Sequence, residues 1–306
     1  MKKIAFLFPG QGSQAVGMGK DLFENYESAR KVFETANKVL NKDITKMCFD
    51  GPEDDLKQTI NTQPAILTTS IAALEAFKSE LDITPAYTAG HSLGEYGAYY
   101  ASDVINLETA LKLIQKRAEL MNEITGGSMV AVLKADEALI KDCINEVDGY
   151  VDIANYNSPA QIVITGDSDA VKQVCELLTQ KGVKRIVPLA VSGAFHSEFM
   201  KQAGEKFAEF VKDIEIKDTE IPVVTNVDAE FTTTEFKEKM SKQIYSSVYW
   251  YPSIEKIIAQ GVDTFIEFGN GTVLSGLNKK INPEITTYNI YDKQSLVETI
   301  EKLKGV

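Results

Sequence analysis

The run Gly90-His91-Ser92-Leu93-Gly94 constrains this chain more than any other feature. It fits Gly-x-Ser-x-Gly, the nucleophile elbow, a sharp strand-to-helix turn with the serine at its tip. Glycine on both sides lets the backbone turn tightly, and the turn lifts the serine hydroxyl clear of the sheet and into a cleft. The flanks agree with this reading. Upstream, Pro85 to Ala89 is a short extended run; downstream, Glu95 to Ala101 is helix-compatible and rich in small residues.

Other strands and helices follow from local patterns. Lys3 to Phe8 reads as a first strand that stops at Pro9-Gly10. Met1-Lys2-Lys3 before it is basic, but five apolar residues are too few for a signal peptide. The loop Pro9 to Gln14 is glycine-rich, a setting that brings backbone N–H groups to a ligand. It is neither GxGxxG nor a P-loop, so nucleotide binding is set aside. Helices are predicted from Asp21 to Leu40, from Asn61 or Thr62 to Glu80, and from Leu107 to Glu123 with Asn106 as cap. Leu111, Ile114, Ala118 and Met121 give the last of these a buried stripe.

Between Ser128 and Val191 the pattern changes. Strands at Met129 to Leu133, Val151 to Tyr156, Gln161 to Thr165 and Lys184 to Val191 alternate with helices at Asp136 to Val147 and Asp167 to Gln180. The order β-α-β-β-α-β is that of the ferredoxin-like unit. Gly126-Gly127 and Ser192-Gly193 read as hinges. The fold class is therefore α/β: an α/β-hydrolase-like large domain with a mostly parallel sheet, residues 1–125 and 194–306, and an inserted ferredoxin-like small domain, residues 126–193. The large domain resumes with a helix from Glu198 to Lys212, a strand from Ile221 to Val227, a helix from Ser253 to Gln260, a strand from Thr264 to Phe268 and a helix from Thr272 to Lys280.

Composition narrows the function. A net charge of −12 argues against general nucleic-acid binding, which needs a basic footprint. No stretch approaches the ~18 apolar residues of a membrane span. Cys48, Cys143 and Cys175 have no metal-ligand spacing, and an odd, sparse set suggests a reducing compartment. The expected protein is soluble and cytoplasmic.

A serine hydroxyl is inert at neutral pH without a base, and the chain holds two histidines. His91 adjoins Ser92 on a turn where adjacent side chains diverge, so it is a poor base. His196 lies where the small domain rejoins the large one, on the expected cleft wall, and is the candidate. No Asp or Glu stands out as its orienter. Arg117 flanks the apolar stripe of its helix. It is either a buried cation in need of an anion or a surface residue lying beside Lys116.

Six motifs now stand in one order: Gly10-Gln11-Gly12-Ser13-Gln14, Asn61-Thr62-Gln63-Pro64, the elbow, Gln115-Lys116-Arg117, Gly193-Ala194-Phe195-His196 and Glu267-Phe268-Gly269. Together they make the chain resemble, over essentially its whole length, the malonyl-CoA:acyl carrier protein transacylases of fatty-acid synthesis, in which the inserted domain is also a feature. The resemblance implies that Ser92 carries the malonyl group and His196 is its base, held by the backbone carbonyl of Gln243. It implies an oxyanion hole from the N–H groups of Gln11 and Leu93, and Arg117 paired with the malonyl carboxylate. Gln63 and His91 would line the same pocket, and Phe195 stands in the Ala-Phe-His form associated with malonyl over methylmalonyl. No metal or permanently bound cofactor is implied; malonyl-CoA is the donor, and the acyl carrier protein is the partner that brings its own phosphopantetheine. One departure is Asn270, where the family often has proline. A serine hydrolase or thioesterase, and a non-catalytic carrier-binding scaffold, are the competing readings.

Overall fold

The computed structural model describes residues 3–305, so Met1, Lys2 and Val306 fall outside it, with the part of the N-terminal reading and the outermost domain limits that rest on them. Strand β1 (Ile4–Phe8) opens the chain. Helices α1 (Lys20–Asn25), α2 (Glu27–Leu40), α3 (Ile44–Asp50), α4 (Glu53–Leu56) and α5 (Thr59–Glu80) precede β2 (Tyr87–Gly90). Then come α6 (Glu95–Ala101) and α7 (Leu107–Glu123). The next stretch holds β3 (Ser128–Leu133), α8 (Glu137–Asn145), β4 (Val151–Ser158), β5 (Gln161–Gly166), α9 (Ser168–Gln180) and β6 (Arg185–Pro188). After it follow α10 (Lys201–Val211), β7 (Val223–Val224), β8 (Phe231–Thr232), α11 (Phe236–Gln243), α12 (Trp250–Ala259), β9 (Thr264–Phe268), α13 (Val273–Ile281), β10 (Thr286–Ile290) and α14 (Lys293–Lys304).

These strands make two sheets. The larger has the order β10-β9-β1-β2-β7-β8, parallel throughout except for the β7–β8 pair. Its central strands are buried on both faces, with every residue of β1 and β9 out of solvent, as a sheet covered by helices on both sides requires. Phe268 anchors the core, its ring 4.8 Å from Phe6 and 5.4 Å from Phe77 of α5, both edge-on. Phe268→Ala is expected to cost about 3–5 kcal/mol, the range for a fully buried phenylalanine, read as a fall in the urea midpoint at unchanged m-value. The smaller sheet, order β4-β5-β3-β6, is antiparallel. Renumbered within the insert that order is 2-3-1-4, the ferredoxin-like arrangement. The chain enters and leaves it side by side, through a parallel bridge between Gly126 and Gly193.

Several expected elements differ. The predicted helix from Asp21 to Leu40 breaks at Tyr26, which is extended at φ −127°, ψ 122°. The break folds Phe23 back onto Phe33, with rings 5.7 Å apart; ten residues of unbroken helix would hold them roughly 15 Å apart. The predicted strand from Ile221 to Val227 pairs only at Val223 and Val224, because the chain then turns toward the elbow. Asn157 and Ser158, expected in a connection, belong to β4.

Candidate active site

The elbow is as tight as the two glycines imply. A Cβ on Gly90 would lie 2.0 Å from the Gly94 carbonyl carbon, and one on Gly94 would lie 2.1 Å from the Phe8 carbonyl oxygen. Ser92 has φ 52°, in the left-handed region. Its Oγ lies 2.8 Å from Nε2 of His196, across 104 residues of sequence.

His196 is itself left-handed, at φ 55°. Its Nδ1 faces the carbonyl oxygens of Gln243 at 2.9 Å and Ser246 at 3.1 Å. Carbonyls only accept, so Nδ1 carries the proton and Nε2 offers its lone pair to the Ser92 hydroxyl. Burial, then the neighbouring Arg117 charge, then His91 push the imidazole pKa down to about 3, against two carbonyl contacts that pull it up. The ring is thus a neutral base at ordinary pH.

Arg117 is buried, with 1% of its surface exposed, which decides between the two readings left open by the sequence. Nη1 donates to Gln63 Oε1 at 2.6 Å; Nη2 donates to Ser92 Oγ at 3.0 Å and Gln243 Oε1 at 2.9 Å. Nε has no partner among the described residues. Every group that the guanidinium bonds is neutral, and the buried Glu95 carboxyl acts on it only through space, so the positive charge stands beside the serine with no anion bonded to it, a costly arrangement in a protein interior.

Ser92, His196 and Arg117 line one cavity of about 280 Å³ together with Gln11, Gln63, His91 and Phe195. Met121, Met129, Leu189 and Val191 give it an apolar wall, and Lys57 and Asn155 add polar groups. Phe195 is buried. His91 does not reach the serine oxygen: its Nε2 pairs with Asn157 Oδ1 at 2.7 Å, and its ring lies 5.6 Å from that of Trp250. Leu93 packs its side chain in the core. The loop carrying Gln11 lies against the elbow, since a Cβ on Gly10 would come 2.6 Å from the His91 carbonyl oxygen. Asn270 Nδ2 donates to the Ser13 carbonyl of that loop at 2.6 Å. The asparagine that departs from the family pattern is thus a tether.

Sequence reasoning names Gln243 only for its backbone carbonyl and misses Ser246 and Asn226. The Gln243 side chain donates from Nε2 to the Ser92 carbonyl at 2.7 Å, so this residue touches Ser92, Arg117 and His196 at once. Ser246 shares the imidazole Nδ1, and Asn226 bonds the elbow backbone. Ser246 and Asn226 sit in no motif, and each reaches the site only through the tertiary fold.

The acyl transferase domain model matches residues 5–280, so the elbow and His196 belong to an acyl transferase domain. The chain is 46% identical over 312 residues to the malonyl CoA-acyl carrier protein transacylase of Bacillus subtilis, covering 99% of this chain and 98% of the relative. It is 44% identical over 315 residues to that of Staphylococcus aureus strain MW2, covering 100% and 98%. The chain belongs to the malonyl CoA-acyl carrier protein transacylase family. Among solved structures, the Clostridium perfringens transacylase aligns with TM-score 0.94 at 40% identity, over 99% of this chain and 98% of that one. A malonyl-transacylase in complex with its type II PKS acyl-carrier protein aligns with TM-score 0.95 at 35% identity, over 98% and 100%.

Proposed function

We propose that this chain moves a malonyl group from malonyl-CoA to the phosphopantetheine thiol of an acyl carrier protein, through an ester on Ser92, for fatty-acid chain elongation. The observation that carries the reading is the buried Arg117 guanidinium, one hydrogen bond from the serine and with no anion bonded to it. In malonyl the carboxylate stands one methylene from the reacting carbonyl. A guanidinium touching the nucleophile is therefore where that carboxylate needs its partner, and its fork fits a carboxylate in a bidentate way.

The steps balance. Ser92 Oγ bonds the thioester carbon while its proton passes to His196 Nε2. The tetrahedral oxyanion is held by the N–H groups of Gln11 and Leu93, a contribution worth about 10²–10³ in rate per donor. The C–S bond breaks, and the imidazolium returns its proton to the CoA sulfur. The carrier's thiol then gives its proton to His196 and attacks the ester, and Ser92 leaves with that proton. Gln63 and Gln243 hold the guanidinium fork, the Gln243 carbonyl holds the imidazole, and Phe195 with His91 bounds the acyl pocket. The donor and the carrier's prosthetic arm bring all the chemistry that these side chains do not.

Residues 126 and 193 are proposed as limits of the insert, supported by the bridge between them. Among the described residues no helix is long and apolar enough to cross a membrane. Three unpaired cysteines support a reducing, cytoplasmic setting.

The test is covalent. Brief exposure to malonyl-CoA without carrier should add one malonyl group, on the peptide that contains Ser92, by intact and peptide mass. An adduct that survives Ser92→Ala would overturn the assignment, and prompt release of free malonate in place of transfer would favour a hydrolase.

A further inference from the structure

The backbone of Ser92 occupies a conformation that persists in a non-glycine residue only where its surroundings over-determine it. Two side-chain amides do so here. Asn226 Oδ1 accepts from the Ser92 N–H at 2.8 Å, and Asn226 Nδ2 donates to the Gly90 carbonyl at 2.8 Å. Because one elbow group only donates and the other only accepts, the orientation of this amide is fixed. Gln243 Nε2 takes the Ser92 carbonyl. Both backbone polar groups of the nucleophile are thus held from outside the elbow.

Asn226 is fully buried and is itself fixed. It follows β7, whose register with β2 runs Thr88 beside Val223 and Ala89 beside Val224, so two residues further on Asn226 stands level with His91. Its own N–H donates to Glu95 Oε2 at 2.6 Å, in the first turn of the helix that the elbow launches. One residue therefore ties strand, turn and helix together.

We infer that Asn226 is a positioning residue for acyl transfer, holding Ser92 in its left-handed turn so that Oγ meets His196 and Arg117. It also occupies the Ser92 N–H, which leaves the oxyanion to other amides. The inference rests on the reading of Ser92 as the nucleophile.

The test is the rate of Ser92 loading by malonyl-CoA, by quenched-flow mass analysis, in the parent, Asn226→Ala and Asn226→Asp. Asn226→Ala should load about 10²-fold more slowly, the scale of a small misplacement of a reacting group, while KM for malonyl-CoA stays within about threefold, because the Gln63 and Gln243 contacts that place the Arg117 guanidinium are untouched. In Asn226→Asp only the protonated carboxyl can both donate to the Gly90 carbonyl and accept from the Ser92 N–H. That variant should load near the parent rate at low pH and lose the rate as pH rises, a limb absent from the parent. Glu95, His196 and Arg117 face the same region and are common to both proteins. A merely structural role would lower stability without this limb. Loading of Asn226→Ala at the parent rate overturns the inference alone. If Asn226→Ala does not fold, a parent-like pH profile in Asn226→Asp overturns it. A parent that never acquires malonyl on Ser92 overturns the proposed function and the inference together.

Discussion

Arg117→Ala should lose malonyl loading while keeping, or gaining, activity toward acetyl-CoA. Malonyl differs from acetyl by one carboxylate, and Arg117 is the buried cation proposed to meet it. A hydrogen bond to a charged group contributes about 1.5–3 kcal/mol, so each lost bond should cost about 10–150-fold in kcat/KM. Acetyl carries no carboxylate, and its methyl would no longer face an unpaired guanidinium. Arg117→Lys should recover part of the malonyl activity, since lysine supplies a point charge without the planar fork, and its shorter reach must serve Gln63, Gln243 and substrate together. The decisive quantity is the malonyl-to-acetyl ratio of kcat/KM in variants whose circular dichroism matches the parent. A ratio near that of the parent in Arg117→Ala would place acyl selectivity elsewhere in the cavity.

His196→Ala should lower transfer by roughly 10²–10⁴, the usual contribution of a general base, and His91→Ala should cost less because its imidazole is engaged by Asn157. The pH dependence carries more detail. A base works deprotonated, and His196 titrates at about 3 in the free protein, below the ordinary 6.5. The acid limb of kcat/KM should therefore lie well below pH 6.5. Once a carboxylate neutralises Arg117, one cause of the depression is gone, so the acid limb of kcat should sit higher than that of kcat/KM. Folding is linked in the same direction. Below pH 6.5 the unfolded chain binds the His196 proton and the folded chain does not, so stability falls as pH drops from 6.5 toward 3. A kcat/KM limb at 6.5 would mean that the imidazole is solvated in the working enzyme.

What the sequence makes legible here depends on how local the signal is. The elbow is a five-residue pattern enforced by close backbone contacts, so Ser92 is readable from residue types alone. His196 is readable by scarcity, one of two histidines and the better placed. The burial of Arg117 is not readable: it stands beside Lys116 at the margin of an apolar stripe, and only the packing of α7 against α5 and α10 buries one while the other stays partly exposed. Asn226 lies 134 residues from the serine that it holds, and no local pattern distinguishes it from any other loop asparagine. The same division runs through the fold. Apolar strands such as β9 announce themselves, whereas β10, with the sequence TTYNI, is an edge strand half open to solvent and reads as a loop. The helix α14 behind it is marked at its start by Asp292, which accepts from the Ser295 N–H, but no expected element covers it.

The strand order has a consequence for how the protein is made. β1 and β2 emerge first from the ribosome and end in the middle of the large sheet, while β7, β9 and β10, which flank them, are encoded after the whole of the small sheet. Until those late strands arrive, two apolar parallel strands have nothing on either edge, and exposed edges of this kind recruit other chains. The small antiparallel sheet closes over short sequence distances and can form early; the large one must wait for contacts between the two ends of the chain, which are slow to form. A ribosome stalled before Thr264 would hold a chain with its serine elbow complete in sequence and no finished sheet to carry it.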